Sequence, residues 1–325
     1  MTSKLVLFVS KEANASSTRY RALQFFPYLH PHGFKAIHVT VSGGILAVIK
    51  TLWKASQADT VVVIRKTFPL VLTWMLRFVS KRLIFDLDDA IFCHSDGSAS
   101  RTRMKRFAAM AKSSDHIFAG NQFLAEKSMM FNDAVTIIPT CLDVSKYDVI
   151  DNRSEDFIDL VWIGSKSTSK YLIDVLPSLE KVAERQPKLR LKIIADFNLP
   201  DTTMPVLSII WDEKTEAKEL CSSHIGIAPM RDNDWTRGKC ALKVLQYMAA
   251  GLPVVSSDVG VNGEAVIDDV TGYLVTTDEQ WITAIENLLD NEAQRVSMGE
   301  AGHNRVKQYY DIGIVFQRML AVLKQ

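Results

Sequence analysis

Short, continuously apolar runs alternate with longer amphipathic stretches along the whole chain, and this alternation constrains the fold more than any other feature. The runs are rich in Val and Ile, as in Leu5–Val9, Thr60–Ile64 and Val254–Ser256. A strand that is apolar at every position is typical of a parallel sheet covered by helices on both faces. We therefore predict an α/β fold built from doubly wound sheets.

The pattern predicts six strands in each half of the chain. They are Leu5–Val9, Ala36–Val41, Thr60–Ile64, Leu83–Phe85, His116–Ala119, Val135–Ile138, Leu160–Ile163, Leu191–Ile194, Leu207–Ile210, Ile225–Ala228, Val254–Ser256 and Tyr273–Val275. The 325 residues exceed the ~250–300 at which one hydrophobic core usually stops growing, so we expect two domains.

The domain boundary is predicted in the stretch Thr140–Asp156, which is rich in acidic residues and lacks a strand or helix period. We assign residues 1–150 to an N-terminal Rossmann-like domain and residues 151–305 to a C-terminal one. Ligands of open α/β sheets bind outside the carboxyl ends of the strands. Two such domains facing each other would form a deep cleft, so the strand ends are the places to search for chemistry.

Charge, cysteine content and apolar segments limit the binding partners and the cellular compartment that we expect for this protein. Lys and Arg number 38 against 37 Asp and Glu, a net charge of +1 that argues against a nucleic-acid coat. The four cysteines form no Cys-x-x-Cys pair, which favours a reducing compartment. The N-terminal apolar run is shorter than a secretory signal, and Phe68–Val79 is too short for the ~20 residues of a spanning helix. We expect a cytoplasmic protein that at most lies on the inner face of a membrane.

The most informative segment runs from Trp235 to Val255. We predict a helix from near Gly238 to Gly251, with Lys239 and Lys243 on one face. Like charges at this spacing repel, whereas beside a helix N-terminus they are suited to a phosphate or diphosphate. Two solvated lysines on an outer face explain the spacing equally well, so both interpretations stay open here.

The run Lys243–Gly260, followed by Glu264, Thr271–Val275 and Trp281, resembles the donor-binding half of glycosyltransferase family 4. The resemblance covers roughly Asp159 to Tyr310. It implies the GT-B fold, with two Rossmann-like domains across a cleft and the C-terminal helix, residues 306–325, packed back on the first domain. It also implies a nucleotide-sugar donor as co-substrate, retention of anomeric configuration, and no metal or other cofactor.

One departure from the family concerns two glutamates that are often separated by seven residues. Gly238 and Gln246 stand at those positions. Gln246 can still hydrogen-bond ribose hydroxyls, without the charge-assisted strength of a carboxylate. The resemblance therefore leaves the nucleobase and the sugar of the donor open.

Two further strand-end loops are candidates for the donor site. Gly164-Ser165-Lys166 follows a strand and precedes a helix, so its backbone and its lysine are suited to a phosphate. The predicted diphosphate-binding set is Gly164, Ser165, Lys166, Arg237, Lys239 and Lys243. By resemblance, the loop of Gly260, Val261, Asn262, Gly263 and Glu264 holds the sugar, although an ordinary turn explains Glu264 almost as well.

In the N-terminal half, Asp86-Leu87-Asp88-Asp89 ends a strand and allows three interpretations. It resembles the metal motif of GT-A transferases, the nucleophile motif of haloacid-dehalogenase-like phosphatases, or carboxylates placed beside the reacting sugar. We favour the last, with a structural network as its alternative. The predicted catalytic set is then Asp88, Asp89, Lys239 and Lys243, and the predicted acceptor-side set is Ser17, Arg19, Arg21 and Asp86.

The segment Arg65–Arg82 combines bulky apolar residues with five cations. It is suited to an anionic membrane surface or a lipid-linked acceptor, and slightly better to a helix buried against the sheet with basic ends. We expect sugar transfer to a saccharide or lipid-linked acceptor, in polysaccharide biosynthesis. The alternatives are the phosphatase and a non-catalytic sugar-nucleotide-binding protein.

Overall fold

The computed structural model describes residues 3–149, 153–199 and 202–325. Residues 150–152 of the predicted linker, and with them the predicted boundary after residue 150, lie outside the described residues. The chain divides into two compact units. The first unit comprises Met1–Cys141, Asn233–Cys240 and Ile312–Gln325, and the second unit comprises Leu142–Asp232 and Ala241–Asp311.

Each unit contains one sheet of six strands. The strands of the first unit are β1 (Lys4–Ser10), β2 (Phe34–Thr40), β3 (Thr60–Ile64), β4 (Leu83–Leu87), β5 (His116–Ala119) and β6 (Val135–Ile137). Those of the second unit are β7 (Ile158–Ile163), β8 (Leu189–Ala195), β9 (Val206–Ile210), β10 (Ile225–Ala228), β11 (Val254–Ser257) and β12 (Gly272–Val275). All twelve predicted strands are present, each within a few residues of its predicted bounds.

Helices connect the strands throughout the described chain. In the first half they are α1 (Ser16–Arg21), α2 (Phe26–Leu29), α3 (Gly44–Gln57), α4 (Leu70–Val79), α5 (Arg101–Ser113) and α6 (Gln122–Met129). In the second half they are α7 (Ser169–Arg185), α8 (Glu216–Cys221), α9 (Asp234–Arg237), α10 (Leu242–Ala249), α11 (Val261–Ala265), α12 (Asp278–Asp290), α13 (Glu292–Tyr309) and α14 (Ile312–Leu323).

Both sheets are parallel, as the continuously apolar strands predicted, and the α/β fold class is confirmed. The strand order is β2-β1-β3-β4-β5-β6 in the first unit and β12-β11-β10-β7-β8-β9 in the second. The order reverses between β1 and β3 and between β7 and β10. Ligands of such sheets bind at these reversals, beyond the carboxyl ends of the strands.

Helix α14 completes the core of the first unit. Its Phe316 lies among the buried side chains around β1, with its ring 6.1 Å from that of Phe25. The core of the second unit surrounds Trp162 of β7 and includes side chains from α7 and α12. Since the apolar face of α14 is buried on the first sheet, the last residues of the sequence belong with the first ones.

The continuous helix predicted from Gly238 to Gly251 is wrong in its first part. Helix α9 ends at Arg237 and α10 begins only at Leu242, because Ala241 between them is in the left-handed conformation, with φ of 53°. Lys239 therefore lies in a loop and shares no helix face with Lys243. The predicted end is confirmed, since Gly251 follows α10 with φ of 68°.

The Phe68–Arg82 segment forms helix α4, of which one face is buried through Thr73 and Leu76. Across the described residues, we find no helix that combines the length and the apolar character needed to cross a bilayer.

Candidate functional site

Charged side chains gather where β3 and β4 of the first unit end. Arg65, directly after β3, donates a hydrogen bond to Asp89, and its Nε lies 3.8 Å from Asp88 Oδ1. Arg65 adopts φ of 47°, and its backbone N–H donates to the carbonyl of Asp86 at 2.8 Å. Such a conformation costs energy in a residue with a side chain and is maintained by the contacts around it. The guanidinium is thus held against both carboxylates.

Lys239 joins this cluster from the loop Asn233–Cys240. Its Nζ lies 3.7 Å from Asp89 Oδ2 and 3.6 Å from the centroid of the Trp235 ring. Burial lowers the pKa of Lys239, against the opposing effect of Asp89. The structure therefore brings together three residues of the predicted catalytic set, Asp88, Asp89 and Lys239.

Asp88 is the member of the cluster with unused hydrogen-bonding capacity. Its Oδ1 is buried and accepts no hydrogen bond from any residue that the structure describes. Burial raises the pKa of Asp88, and the nearby Arg65 and Arg21 oppose that rise. A buried acceptor without a donor is rare in folded proteins, and the side chain of Asp88 as a whole is 13% exposed, so this carboxylate has capacity for a further hydrogen bond.

The loop that carries Lys239 is anchored by backbone contacts. Asn121 Nδ2 donates to the carbonyls of Arg237 and Lys239 at 3.1 and 2.9 Å. A Cβ at Gly238 would lie 2.7 Å from the backbone nitrogen of Ala90, closer than real Cβ contacts. This close approach is a physical reason why no glutamate stands at position 238.

Arg21 and Asp86, predicted on the acceptor side, form an ion pair inside the first unit. Arg21 Nε and Nη2 donate to the two carboxylate oxygens of Asp86, both at 2.8 Å, and Nη1 donates to the carbonyl of Ile138 at 2.6 Å. Their side chains are 1% and 0% exposed. Burial raises the pKa of Asp86 to about 6, against the opposing effect of Arg21. At this exposure neither side chain can contact an acceptor, and Asp86 cannot act as the nucleophile of a phosphatase.

The other two acceptor-side residues lie on α1. Ser17 is buried, and the guanidinium of Arg19 lies 5.3 Å from the centroid of the Tyr20 ring. Arg19 is only partly buried and so stays a candidate for contact with an acceptor.

A second group of candidate residues lies at the end of β7 in the second unit, beside the reversal of strand order. Lys243, in the first turn of α10, places its Nζ 4.0 Å from the centroid of the Trp162 ring and 3.2 Å from Thr168 Oγ1. A Cβ at Gly164 would lie 2.6 Å from Lys243 Nζ and would collide with Trp162. The lysine thus lies directly over the glycine of the Gly164–Lys166 loop, while Lys166 itself is exposed.

The predicted diphosphate set is divided between the units. Gly164, Ser165, Lys166 and Lys243 come together in the second unit. Arg237 and Lys239 belong to the first unit, where Arg237 Nη1 lies 4.0 Å from Asp234 Oδ1. The sequence does not show this division, because Arg237, Lys239 and Lys243 lie within one run of seven residues.

Gln246 is held by a carboxylate that the sequence analysis missed. Its Nε2 donates to Glu216 Oε1 at 2.7 Å, and the indole of Trp211 donates to Glu216 Oε2 at 2.7 Å. Glu216 begins α8 and is buried. Gln246 lies three positions from Lys243 on α10, so the carboxylate of Glu216 lies beside the helix that carries the lysine.

The predicted sugar-binding loop follows β11. Gly260 has φ of 52° and ψ of −135°, a conformation that favours glycine. Asn262 Nδ2 donates to Ser256 Oγ at 3.0 Å, Val261 is buried, and Glu264 is exposed. A Cβ at Gly263 would collide with the carboxylate of Asp258. The backbone therefore requires glycine at position 260, and Glu264 is the exposed charged side chain of the loop.

No set of three or more His, Cys, Asp or Glu in the described parts of the chain is arranged to hold a metal ion.

Residues 158–291, from β7 to the end of α12, match the family model described as "Glycosyl transferases group 1". The D-inositol 3-phosphate glycosyltransferase of Corynebacterium aurimucosum is 40% identical over 70 residues. These residues span 21% of this chain and 17% of that relative. The family match therefore lies in the half of the chain that contains the Lys243 site.

Solved structures resemble the chain over almost its whole length. Anabaena HepE in complex with UDP and glucose is 14% identical, with a TM-score of 0.77 and 99% of each chain covered. In complex with UDP-glucose it is 12% identical, with a TM-score of 0.72, covering 98% of this chain and 99% of that one. Sucrose-phosphate synthase from Thermosynechococcus elongatus is 14% identical, with a TM-score of 0.77, covering 99% and 98%.

At these identities the likeness establishes the fold alone, a two-domain α/β fold of the GT-B class, as predicted. The segment that matches the family model supports a glycosyltransferase.

Proposed function

We propose that this protein is a retaining glycosyltransferase whose second unit binds a nucleoside-diphosphate sugar and whose first unit binds the acceptor. The observation that carries the proposal is the position of Lys243 directly over Gly164, within the segment that matches the glycosyltransferase family. A cation over a glycine loop, at the reversal of strand order in a parallel sheet, is suited to a diphosphate. Because HepE binds UDP and UDP-glucose, a uridine nucleotide is the first donor to test.

The leaving diphosphate gains negative charge as the bond between its oxygen and the anomeric carbon breaks. Lys243 stabilises this charge from above Gly164, and the exposed Lys166 of the same loop adds to it. The acceptor oxygen forms the new bond to the anomeric carbon, and its proton passes to the departing phosphate oxygen. The group-transfer step then balances without a metal ion.

In the ribose site, we propose that Glu216 takes the place of the carboxylate that position 246 lacks. The two oxygens of Glu216 accept hydrogen bonds from Gln246 and Trp211, and a carboxylate oxygen can accept more than one. The pair of Gln246 and Glu216 thus offers both an amide and a charged acceptor to ribose hydroxyls.

On the acceptor side, we propose that Asp88 accepts a hydrogen bond from the hydroxyl of a saccharide or lipid-linked acceptor. Its side chain is 13% exposed, against 3% for Asp89, while Arg65 and Lys239 hold the surrounding charges in place. A phosphatase activity is disfavoured, because the nucleophile it requires, Asp86, is buried in the pair with Arg21.

The proposal is tested by titrating UDP and UDP-glucose into the protein by calorimetry, and by assaying transfer to a panel of saccharide and lipid-linked acceptors. We expect UDP to bind and, because a ligand stabilises the folded state by mass action, to raise the thermal midpoint. We also expect transfer to persist in excess EDTA. Binding without transfer to any acceptor would indicate a sugar-nucleotide-binding protein. Absence of binding to every nucleoside diphosphate would contradict the donor site itself.

A further inference from the structure

Helices α3 and α4 of the first unit pack side by side, and each exposes an apolar stripe. On α4 the stripe is Val71, Trp74, Met75 and Phe78, at the spacing of one helix face, and Phe78 is 91% exposed. On α3 the exposed residues are Ile45, Leu46, Ile49 and Trp53, again one face of the helix. We call these eight side chains the α3–α4 face.

The α3–α4 face points away from the sheet. The buried residues of the two helices lie on their other sides, Thr51 and Ala55 on α3 and Thr73 and Leu76 on α4. The face contains eight of the eighteen exposed large apolar side chains among the described residues. Scattered exposed apolar residues are normal on a soluble protein, whereas a concentration of this kind marks an interaction surface.

The helices that carry and adjoin this face contain charge of one sign, with Arg77 of α4 paired to Asp115 beyond the end of α5. Helices α3, α4 and α5 pack in sequence along one layer, and their residues include eight cations and no acidic residue. These cations are Lys50, Lys54, Arg77, Arg101, Arg103, Lys105, Arg106 and Lys112. Within the described parts of the chain, Lys50 and Lys54 form no ion pair, so their charge is available to a partner.

We propose that the α3–α4 face binds the surface of an anionic lipid bilayer. Trp and Phe on an apolar stripe, flanked by Lys and Arg, are the composition of helices that lie in the bilayer interface. The cations supply attraction to anionic headgroups, and the two tryptophans fit the interfacial depth. A second copy of this chain is a poorer partner, because a symmetric contact through this face would bring its cations close together.

This binding would orient the first unit. Helices α3 and α4 begin where β2 and β3 end, so Ile45 and Val71 lie toward the edge of the sheet that also carries Arg65 and Asp88. A bilayer on the α3–α4 face is therefore close to the edge where an acceptor would bind. The inference goes beyond the proposed sugar transfer and holds whichever donor the second unit binds.

The experiment measures sedimentation of the full-length protein with vesicles of equimolar phosphatidylcholine and phosphatidylglycerol, and with vesicles of phosphatidylcholine alone. We expect binding to the anionic vesicles that weakens as salt rises, because counter-ions screen the attraction. The double variant Trp74→Gln/Phe78→Gln should lose binding. Lys50→Gln/Lys54→Gln should weaken it roughly 25-fold, about fivefold for each cation near the surface.

The matched control is Ile210→Gln, which removes an apolar side chain that is 84% exposed on the second unit and should bind like the wild type. All variants should keep the thermal midpoint and UDP affinity of the wild type, which separates this inference from the proposed function. Equal binding of wild type and Trp74→Gln/Phe78→Gln to anionic vesicles would overturn the proposal. So would a stable dimer in solution that this double variant dissociates.

Discussion

Two lysines lie over tryptophan rings in this protein, and their surroundings differ in a way that suggests different roles. Lys239 of the first unit contacts Trp235 at 3.6 Å and lies beside Asp89, in a cluster that also contains Asp88 and Arg65. Lys243 of the second unit contacts Trp162 at 4.0 Å and lies beside the hydroxyl of Thr168, over a glycine.

Similar local contacts thus occur in two electrostatic settings. In the first setting, carboxylates of the protein balance the cations, and the charged side chains hold one another in position. The proposed acceptor would bind the remaining carboxylate oxygen. In the second, the lysine lies over backbone that can approach a phosphate closely. We expect charge removal to reduce stability or turnover in the first setting, and donor affinity in the second.

The largest expected effect concerns the buried pair below the first cluster. Replacing Arg21 by Met leaves Asp86 buried without its partner, which should cost about 3–5 kcal/mol of unfolding free energy. Urea denaturation measures this loss. The matched control is Arg77→Met, whose ion pair with Asp115 is 33% and 45% exposed and should contribute less than about 1 kcal/mol. Equal losses in the two variants would show that the buried pair is not the structural base of the cluster.

The next effect concerns Asp88. The variant Asp88→Asn should lower the rate of transfer roughly a hundredfold and leave UDP affinity unchanged, because the proposed role of the carboxylate is to position the acceptor hydroxyl and not to bind the donor. The control is Asp96→Asn, an exposed aspartate of the same unit, which should retain the wild-type rate. A variant at Asp88 with full activity would remove this residue from the catalytic set.

The pH profile tests the same residue independently. Burial raises the pKa of Asp88 above that of an ordinary aspartate, which is about 4. Asp88 therefore loses its negative charge at a higher pH than an ordinary aspartate does. Because the charged form is the active one, the rate should fall as the pH falls through this raised pKa. The acid limb should be missing from the residual activity of Asp88→Asn, and a limb that persists there would assign it to another group.

The smallest effect is expected at the donor loop, where two lysines can be compared. Lys243→Ala should weaken UDP binding by roughly 10- to 150-fold, the range for a hydrogen bond to a charged group. Lys166→Ala should weaken it at most about fivefold, because Lys166 is exposed and solvent screens its charge. Calorimetric titration of UDP measures both, with Lys181→Ala on the exposed side of α7 as the control. Wild-type affinity of Lys243→Ala would refute the diphosphate site.

Local periodicity in the sequence determined most of the architecture. The apolar runs located all twelve strands, and their continuity indicated parallel sheets because both faces of each strand are buried. The same logic directed attention to strand ends, where Gly164, Lys166, Asp88 and Asp89 lie. The strands and the residues at their ends depend on local patterns along the chain, so one sequence is enough to predict them.

Only the tertiary structure decided which charges belong together. Arg21 and Asp86 are 65 positions apart in sequence and pair because both are buried beneath one sheet edge. Lys239 and Lys243 are four positions apart, yet Ala241 turns the backbone between them and assigns them to different units. Gln246 and Glu216 meet across 30 positions. Each arrangement depends on the packing of distant segments, and no spacing in the sequence records it.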